Sequence, residues 1–194
     1  GFMGATHAAA WTQTPAQLVG IVSADQAHAQ RFSDQFHTRA YDNLDALMRD
    51  VDIIDICTPT HLHHDMVLQA AAAGKHIICE KPLARTVEQG QAMIAACEKA
   101  GVKLLVAHVV RFFPEYLAAQ AAVERGDIGQ VAVVRLTRCS APPGWSADNW
   151  LMDPARSGGM LLDMLVHDYD YARWVAGAVI SVFAKNLRGQ PSHA

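Results

Sequence analysis

Lys81, Asp163 and His167 are the residues whose types and spacing are suited to chemistry. Lys81 stands in Cys79-Glu80-Lys81-Pro82, directly after the apolar pair Ile77-Ile78. A strand ending there holds the ammonium at a cleft rim, because open α/β sheets bind ligands beyond the carboxyl ends of their strands. Pro82 disfavours helix at the residue before it, which keeps Lys81 out of the helix that follows. The competing reading is a surface lysine in a strand-to-helix turn. Asp163 and His167 lie four apart in a helical pattern and so share a face, with Asp170 close to the same face. An imidazole with a carboxylate one turn away suits proton transfer near neutral pH. The carboxylate can hold the ring tautomer and support the imidazolium, or it can hold substrate. Gly158-Gly159, just upstream, lets the backbone come close to another group. The plainer reading here is a solvated acidic helix face that carries a histidine.

These residues need a frame, and the first hundred residues provide its pattern. Gly1-Phe2-Met3-Gly4 reads as the last two glycines of a G-x-G-x-x-G loop entering a helix at Ala8-Ala9-Ala10. In full, such a loop cradles a pyrophosphate on backbone N–H groups at a helix start; G-x-x-G alone also describes an ordinary tight turn. An apolar run over residues 17–23 predicts a buried parallel strand, followed by a helix over 27–36 that Asp25 can cap. Ser23 occupies the place where a dinucleotide fold carries an acid for the adenine ribose, with Asp25 two residues on. Loss of that acid removes repulsion against a 2′-phosphate, so both NAD and NADP stay open.

A strand is expected over 51–57, ended by Thr58-Pro59-Thr60, then a helix over 61–73 closed by Gly74. A strand over 76–79 leads into Glu80-Lys81-Pro82. A helix over 86–100 is capped by Thr86 and stopped by Gly101, and a strand over 102–107 follows. This alternation predicts a doubly wound parallel sheet. Beyond about residue 108 the rhythm changes. A helix over 114–125, a strand over 131–138, a Pro/Gly/Trp loop over 141–159, a helix over 161–174 and a strand over 179–186 are expected, so the domain division is placed at 1–108 and 109–194.

Other clusters are ambiguous. Arg111 follows a strand end, as Lys81 does, and suits either an anionic cofactor or substrate or a domain-junction ion pair. In His61-Leu62-His63-His64, His63 and His64 point to different faces, His61 and His64 could share one, and no third ligand has useful spacing, so the reading is structural or cofactor-side, and no metal site is expected. Trp145 and Trp150 suit stacking on a sugar face or packing at a domain junction.

Composition narrows the class. The chain has 194 residues, is 51% hydrophobic and 18% charged, and has a formal net charge of −3, enough apolar content for a real core. Lysines and arginines are scattered, which argues against a nucleic-acid surface. The four cysteines make no close pair and no metal spacing, which fits a reducing cytosol. The stretch weighed as a membrane span, residues 161–180, contains Asp163, His167, Asp168, Asp170 and Arg173, so no membrane span is expected.

Together, Gly1-x-x-Gly4-x-x-His7, Thr58-Pro59-Thr60, His63, Ala73-Gly74-Lys75-His76, Glu80-Lys81-Pro82, Arg111-Phe112, Gly158 to Asp163 and His167-Asp168 resemble the Gfo/Idh/MocA oxidoreductases, the glucose–fructose oxidoreductase and inositol dehydrogenase group. The matching residues run over almost the whole chain. The resemblance implies a Rossmann-like NAD- or NADP-binding domain followed by an α+β substrate domain with an open, mostly antiparallel sheet. It also implies a small sugar- or polyol-like substrate and homo-oligomers for a complete chain. On its terms Lys81 binds the substrate hydroxyl and the nicotinamide ribose, often with a cis bond to the proline, His167 takes the alcohol proton, and Asp163 orients the histidine or the substrate. Gly1, Phe2, Met3, Gly4, Ser23, Thr58, Pro59, Thr60, His63, Glu80, Lys81 and Arg111 are then the cofactor side.

Relative to that family the first strand and first glycine are absent and the second domain stops early. The expectation is a fragment, truncated at both ends and less stable than a whole enzyme. The expected activity is reversible hydride transfer to or from a secondary alcohol. The alternatives are a non-catalytic nucleotide-binding sensor or scaffold, or an inactive piece.

Overall fold

The computed structural model describes residues 1–139, 141 and 146–185. Within them, five short parallel strands form two groups. Strand β1 (Gly20–Ile21) pairs with β2 (Arg39–Ala40), with Gly20 opposite Arg39. Strands β3 (Ile53–Ile56), β4 (His76–Glu80) and β5 (Leu104–Ala107) form a three-stranded sheet in that order. Its register sets Ile54 opposite Ile77 and Ile77 opposite Leu104.

Helices occupy the crossovers that parallel pairing requires. They are α2 (Gln26–Phe36) between β1 and β2, α4 (His63–Ala72) between β3 and β4, and α5 (Val87–Ala100) between β4 and β5, while α1 (Phe2–Trp11) precedes β1 and α3 (Leu44–Met48) links β2 to β3. Side-chain caps start three of them. Asp25 accepts the His28 N–H, Asn43 the Ala46 N–H and Thr86 the Gln89 N–H. Gly101 ends α5 in the left-handed conformation at φ 69. The core packs Ile54, Ile56, Ile77 and Cys79 of the sheet against Val67, Ala70 and Ala71 of α4 and Met93 and Cys97 of α5. Tyr41, Leu47 and Met48 close one end of it.

Further on come α6 (Pro114–Glu124), α7 (Pro154–Ser157), α8 (Met160–Asp163) and α9 (Val166–Ala176). Contacts divide the chain into two compact units. Residues 1–109 with 138–167 make the first, and residues 110–137 with those from 168 onward make the second. Within the second unit, Tyr171 packs edge-on against Tyr116 and Trp174. None of its helices, nor any other described helix, is long and apolar enough to cross a membrane.

Several expected elements change. The strands read over 17–23 and 51–57 shorten to Gly20–Ile21 and Ile53–Ile56. The helix read from His61 begins with a 3₁₀ turn over Thr60–Leu62. The strands read over 131–138 and 179–186 do not form in the described residues. Residues 131–139 and 177–185 have no paired neighbour there, and Val133, Ile180 and Phe183 are 79%, 100% and 92% exposed. An apolar pattern marks a segment fit for a sheet, but a strand exists only where another edge takes up its backbone groups.

The loop read over 141–159 contains a 3₁₀ stretch over Ala147–Met152 and helix α7; Trp145 lies outside the described residues. The helix read over 161–174 is interrupted between α8 and α9. Met164 keeps right-handed dihedrals (φ −91, ψ −42) and still donates to the Met160 carbonyl at 3.0 Å, so the interruption opens within a right-handed path.

Candidate active site

The first unit gathers the chemistry-bearing residues at the carboxyl ends of β3 and β4. Strand β4 ends at Glu80, and the Lys81–Pro82 peptide that follows is cis. Lys81 Nζ donates to the Asp163 backbone carbonyl at 2.9 Å and to Asp163 Oδ1 at 3.4 Å. The Asp163 side chain is only 3% exposed and that of Lys81 17%. Two buried opposite charges satisfy each other there, and each would be costly alone. Gly158 and Gly159, at φ +83 and +91, turn the chain into α8, and a Cβ on Gly158 would overlap the Leu162 side chain. The backbone therefore reaches a conformation and a closeness that only glycine permits.

His167 is part-buried, and its Nδ1 is enclosed without a hydrogen-bond partner. Burial, then the positive charges of Lys81 and Arg138, push its pKa down to about 4, so the ring is neutral at neutral pH. The result is a lysine held by a carboxylate beside a neutral imidazole whose enclosed Nδ1 has no hydrogen-bond partner.

His63 lies between two loops of the site. Nε2 meets the Thr58 carbonyl at 2.9 Å and Nδ1 the Pro82 carbonyl at 3.0 Å, and the residue is 1% exposed. It ties the turn after β3 to the turn after β4. Its neighbour His64 pairs with Asp65 at 2.7 Å, so the three histidines of that stretch do not converge. Thr60 is buried, and its hydroxyl oxygen has no hydrogen-bond partner.

A second group was not legible as a site. His7 of α1 reaches both Asp55 oxygens through Nδ1 at 3.0 Å and Glu80 Oε1 through Nε2 at 3.1 Å. Trp11 donates to Asp55 Oδ2 at 2.7 Å, and Cys57 Sγ lies 3.3 Å from His7 Nδ1. The hydrogen bond to Asp55, then those to Cys57 and Glu80, raise the His7 pKa to about 12. His7, Asp55 and Cys57 offer donor atoms within 4.8 Å of one another, a spacing a metal could use. Their chemistry favours the proton, because His7 holds its proton firmly and burial pushes the Cys57 thiol up. The sequence did carry a signal. Asp55 interrupts an apolar strand, and a carboxylate in such a place needs a cation.

The cofactor-side residues fall into distinct places. Gly1 caps α1, Phe2, Met3 and Gly4 form its first turn, and no side chain caps that end. Uncapped N–H groups at the start of a ten-residue helix suit a pyrophosphate. Gly4 approaches Cys57, so this helix start stands at the carboxyl end of β3, beside Thr58-Pro59. Ser23, just past β1, accepts the Asp25 N–H at 3.2 Å and leaves no acid at that position. These features fit a dinucleotide. Arg111 is engaged otherwise. In the second unit its guanidinium grips Asp170 through two 2.6 Å hydrogen bonds and lies 5.3 Å from the Trp174 ring centre. Asp170 is thereby the partner of Arg111.

Comparison with known proteins agrees with this geometry. Residues 1–108 match the model of an oxidoreductase family with an NAD-binding Rossmann fold, and residues 116–192 match the GFO/IDH/MocA C-terminal domain. Inositol 2-dehydrogenase of Rhizobium meliloti is 34% identical over 180 residues, covering 91% of this chain and 53% of that protein. Levoglucosan dehydrogenase of Pseudarthrobacter phenanthrenivorans is 34% identical over 203 residues, covering 95% and 51%. Among solved structures, a probable dehydrogenase from Thermotoga maritima superimposes with a TM-score of 0.81 at 32% identity, covering 90% of this chain and 52% of that one. Levoglucosan dehydrogenase in complex with NADH and levoglucosan gives 0.79 at 31% identity, covering 91% and 52%.

The fold and the match define an NAD-binding, Rossmann-fold oxidoreductase class. Within it, the chain belongs to the Gfo/Idh/MocA family. It spans about half the length of the curated relatives it matches.

Proposed function

We propose that the protein carrying this chain is an NAD(P)-dependent dehydrogenase that interconverts a secondary alcohol of a sugar or polyol and the corresponding ketone. The observation that carries this reading is the contact of Lys81 Nζ with Asp163, beside a neutral His167 whose Nδ1 has no hydrogen-bond partner. Named relatives point the same way, being dehydrogenases of inositol and levoglucosan.

Gly1 to Gly4, Ser23, Thr58 to Thr60 and the Glu80-Lys81 turn would hold the dinucleotide, with His63 fixing two of those loops from behind. When bound, the nicotinamide supplies the hydride acceptor or donor. Lys81 holds the substrate oxygen and offsets negative charge that develops on it, as oxyanion donors do. His167 receives the hydroxyl proton on its imidazole and returns it in the reverse direction. Asp163 keeps the Lys81 ammonium in place. The second domain, placed after residue 108, would supply the substrate walls. Within it, residues 138–167 pack in the same compact unit as Lys81.

The test is a tryptophan-fluorescence titration with NADH and NADPH, followed by turnover on a panel of cyclic polyols, aldoses and anhydrosugars. Saturable binding with alcohol-dependent reduction of the cofactor supports the reading. Tight cofactor binding with no turnover on any alcohol or ketone of the panel would favour a nucleotide-binding sensor.

A further inference from the structure

We propose that His7 is a positioning residue that locks the Lys81 turn to helix α1 through Glu80. The proposal rests on the role given to Lys81 above.

The path is continuous. Trp11 Nε1 and His7 Nδ1 both donate to Asp55 on β3, so two residues of α1 grip one strand carboxylate. The other nitrogen of His7 donates to Glu80 Oε1 at 3.1 Å. The remaining Glu80 oxygen, Oε2, accepts the Lys81 backbone N–H at 3.0 Å. Both ring nitrogens meet carboxylate oxygens, which accept and cannot donate, so the ring carries a proton on each nitrogen. One imidazolium sits between two carboxylates whose side chains are 19% and 7% exposed, and the Cys57 thiol is its only other neighbour in the described network.

The consequence is geometric. Helix α1 begins at the loop that fits a pyrophosphate, and Lys81 stands where the substrate oxygen would be held. Without a connection these two places would be joined only through the sheet. His7 joins them through two charge-assisted bonds, which are directional and about twice as strong as neutral hydrogen bonds. A misplacement of the reacting groups by about 1 Å can cost about 100-fold in rate. His7 touches neither reacting group in this scheme; it acts through Glu80.

Two variants separate the limbs. The amide nitrogen of asparagine stands where Nδ1 stands, and that of glutamine where Nε2 stands. His7→Asn thus keeps the Asp55 bond and gives up Glu80, and His7→Gln does the reverse. The first readout needs no cofactor. The Lys81 amide proton, hydrogen-bonded to Glu80, is expected well downfield in the NMR spectrum of the parent protein and of His7→Gln, and shifted upfield in His7→Asn. The second readout is kinetic. His7→Asn is expected to lose at least about tenfold in kcat with NADH affinity kept within about threefold, while His7→Gln stays within about threefold in both.

An unmoved Lys81 amide in His7→Asn overturns the proposal. So does equal loss of kcat in the two variants, or a loss confined to NADH affinity. If the parent neither binds NADH nor turns over any alcohol, the preceding functional reading fails, and the amide shifts still decide whether His7 positions Lys81.

Discussion

Lys81 and Asp163 are 82 residues apart in sequence, yet the lysine ammonium meets both the backbone carbonyl and the carboxylate of the aspartate. The double contact makes one side chain answer to two groups that move together. Deleting the lysine leaves a carboxylate that is 3% exposed without its cation partner among the described residues. Lys81→Ala is therefore expected to lose about 100- to 1000-fold in kcat/KM, the scale of losing one electrostatic donor to a developing oxyanion. NADH affinity should stay within about threefold by titration, because the pyrophosphate site at the α1 start is untouched. A fully active Lys81→Ala would remove Lys81 from the mechanism.

Two histidines give opposite pH dependences of stability. The His167 pKa is lowered from 6.5 to about 4 on folding, so between those values the unfolded chain binds more protons. Its contribution is present above pH 6.5 and is lost as pH falls toward 4. The His7 pKa is raised to about 12, so its contribution is full below 6.5 and is lost as pH rises toward 12. Denaturant melts across pH should show the acid limb flattened in His167→Asn and the alkaline limb flattened in His7→Gln. Unchanged limbs would mean that these rings do not titrate as their surroundings require.

Arg111 offers a discriminating variant. Its fork is held by Asp170 and its face by Trp174, both in the second unit. Arg111→Lys keeps the charge and gives up the paired geometry, with an expected stability loss of about 1–3 kcal/mol in chemical denaturation. NADH affinity should not change by more than about twofold if Asp170 is its sole important partner. A tenfold loss of NADH affinity in a folded variant would restore the cofactor role that the sequence suggested.

On the proposed reading, the absence of an acid at Ser23 bears on the choice of dinucleotide. An acid at this strand end pairs with the ribose hydroxyls of NAD and repels the 2′-phosphate of NADP. Ser23→Asp is expected to raise the NADH-over-NADPH binding ratio by at least about tenfold, an effect of about 1.4 kcal/mol. An unchanged ratio would place the adenine ribose elsewhere.

Local chemistry made much of the fold readable. Asp25, Thr86, Gly74 and Gly101 marked helix ends because capping needs only near neighbours. The β3 and β4 runs were visible as short apolar stretches between glycine and proline signals. The pair Arg39–Ala40 was not, since a two-residue strand has no periodicity and exists through its pairing with β1. The extended segments near Val133 and Ile180 failed in the opposite way, having the pattern without a described partner. Among candidate site residues, Lys81, Asp163 and His167 were singled out by type and spacing beside plainer readings, and the family resemblance supplied their expected roles; the structure brings Lys81 and Asp163 together. Arg111 was left between two roles, because only coordinates show that Asp170 reaches it. His7 and Asp55 stayed hidden as a pair, since one lies on a helix and the other on a strand 48 residues away.

The buried ring of His63 has a consequence for how this region opens. Its two nitrogens lie 2.9 Å and 3.0 Å from the Thr58 and Pro82 carbonyls, so the ring donates to one turn while packing against the other, and either turn swings out only by leaving that ring. The two turns then form one cooperative opening unit. Amide hydrogen exchange should report a shared protection for the residues around them, with both rates rising together in His63→Phe. Solvent would enter this part of the cleft in a single event, exposing the backbone behind Lys81 and that behind Thr60 at the same moment.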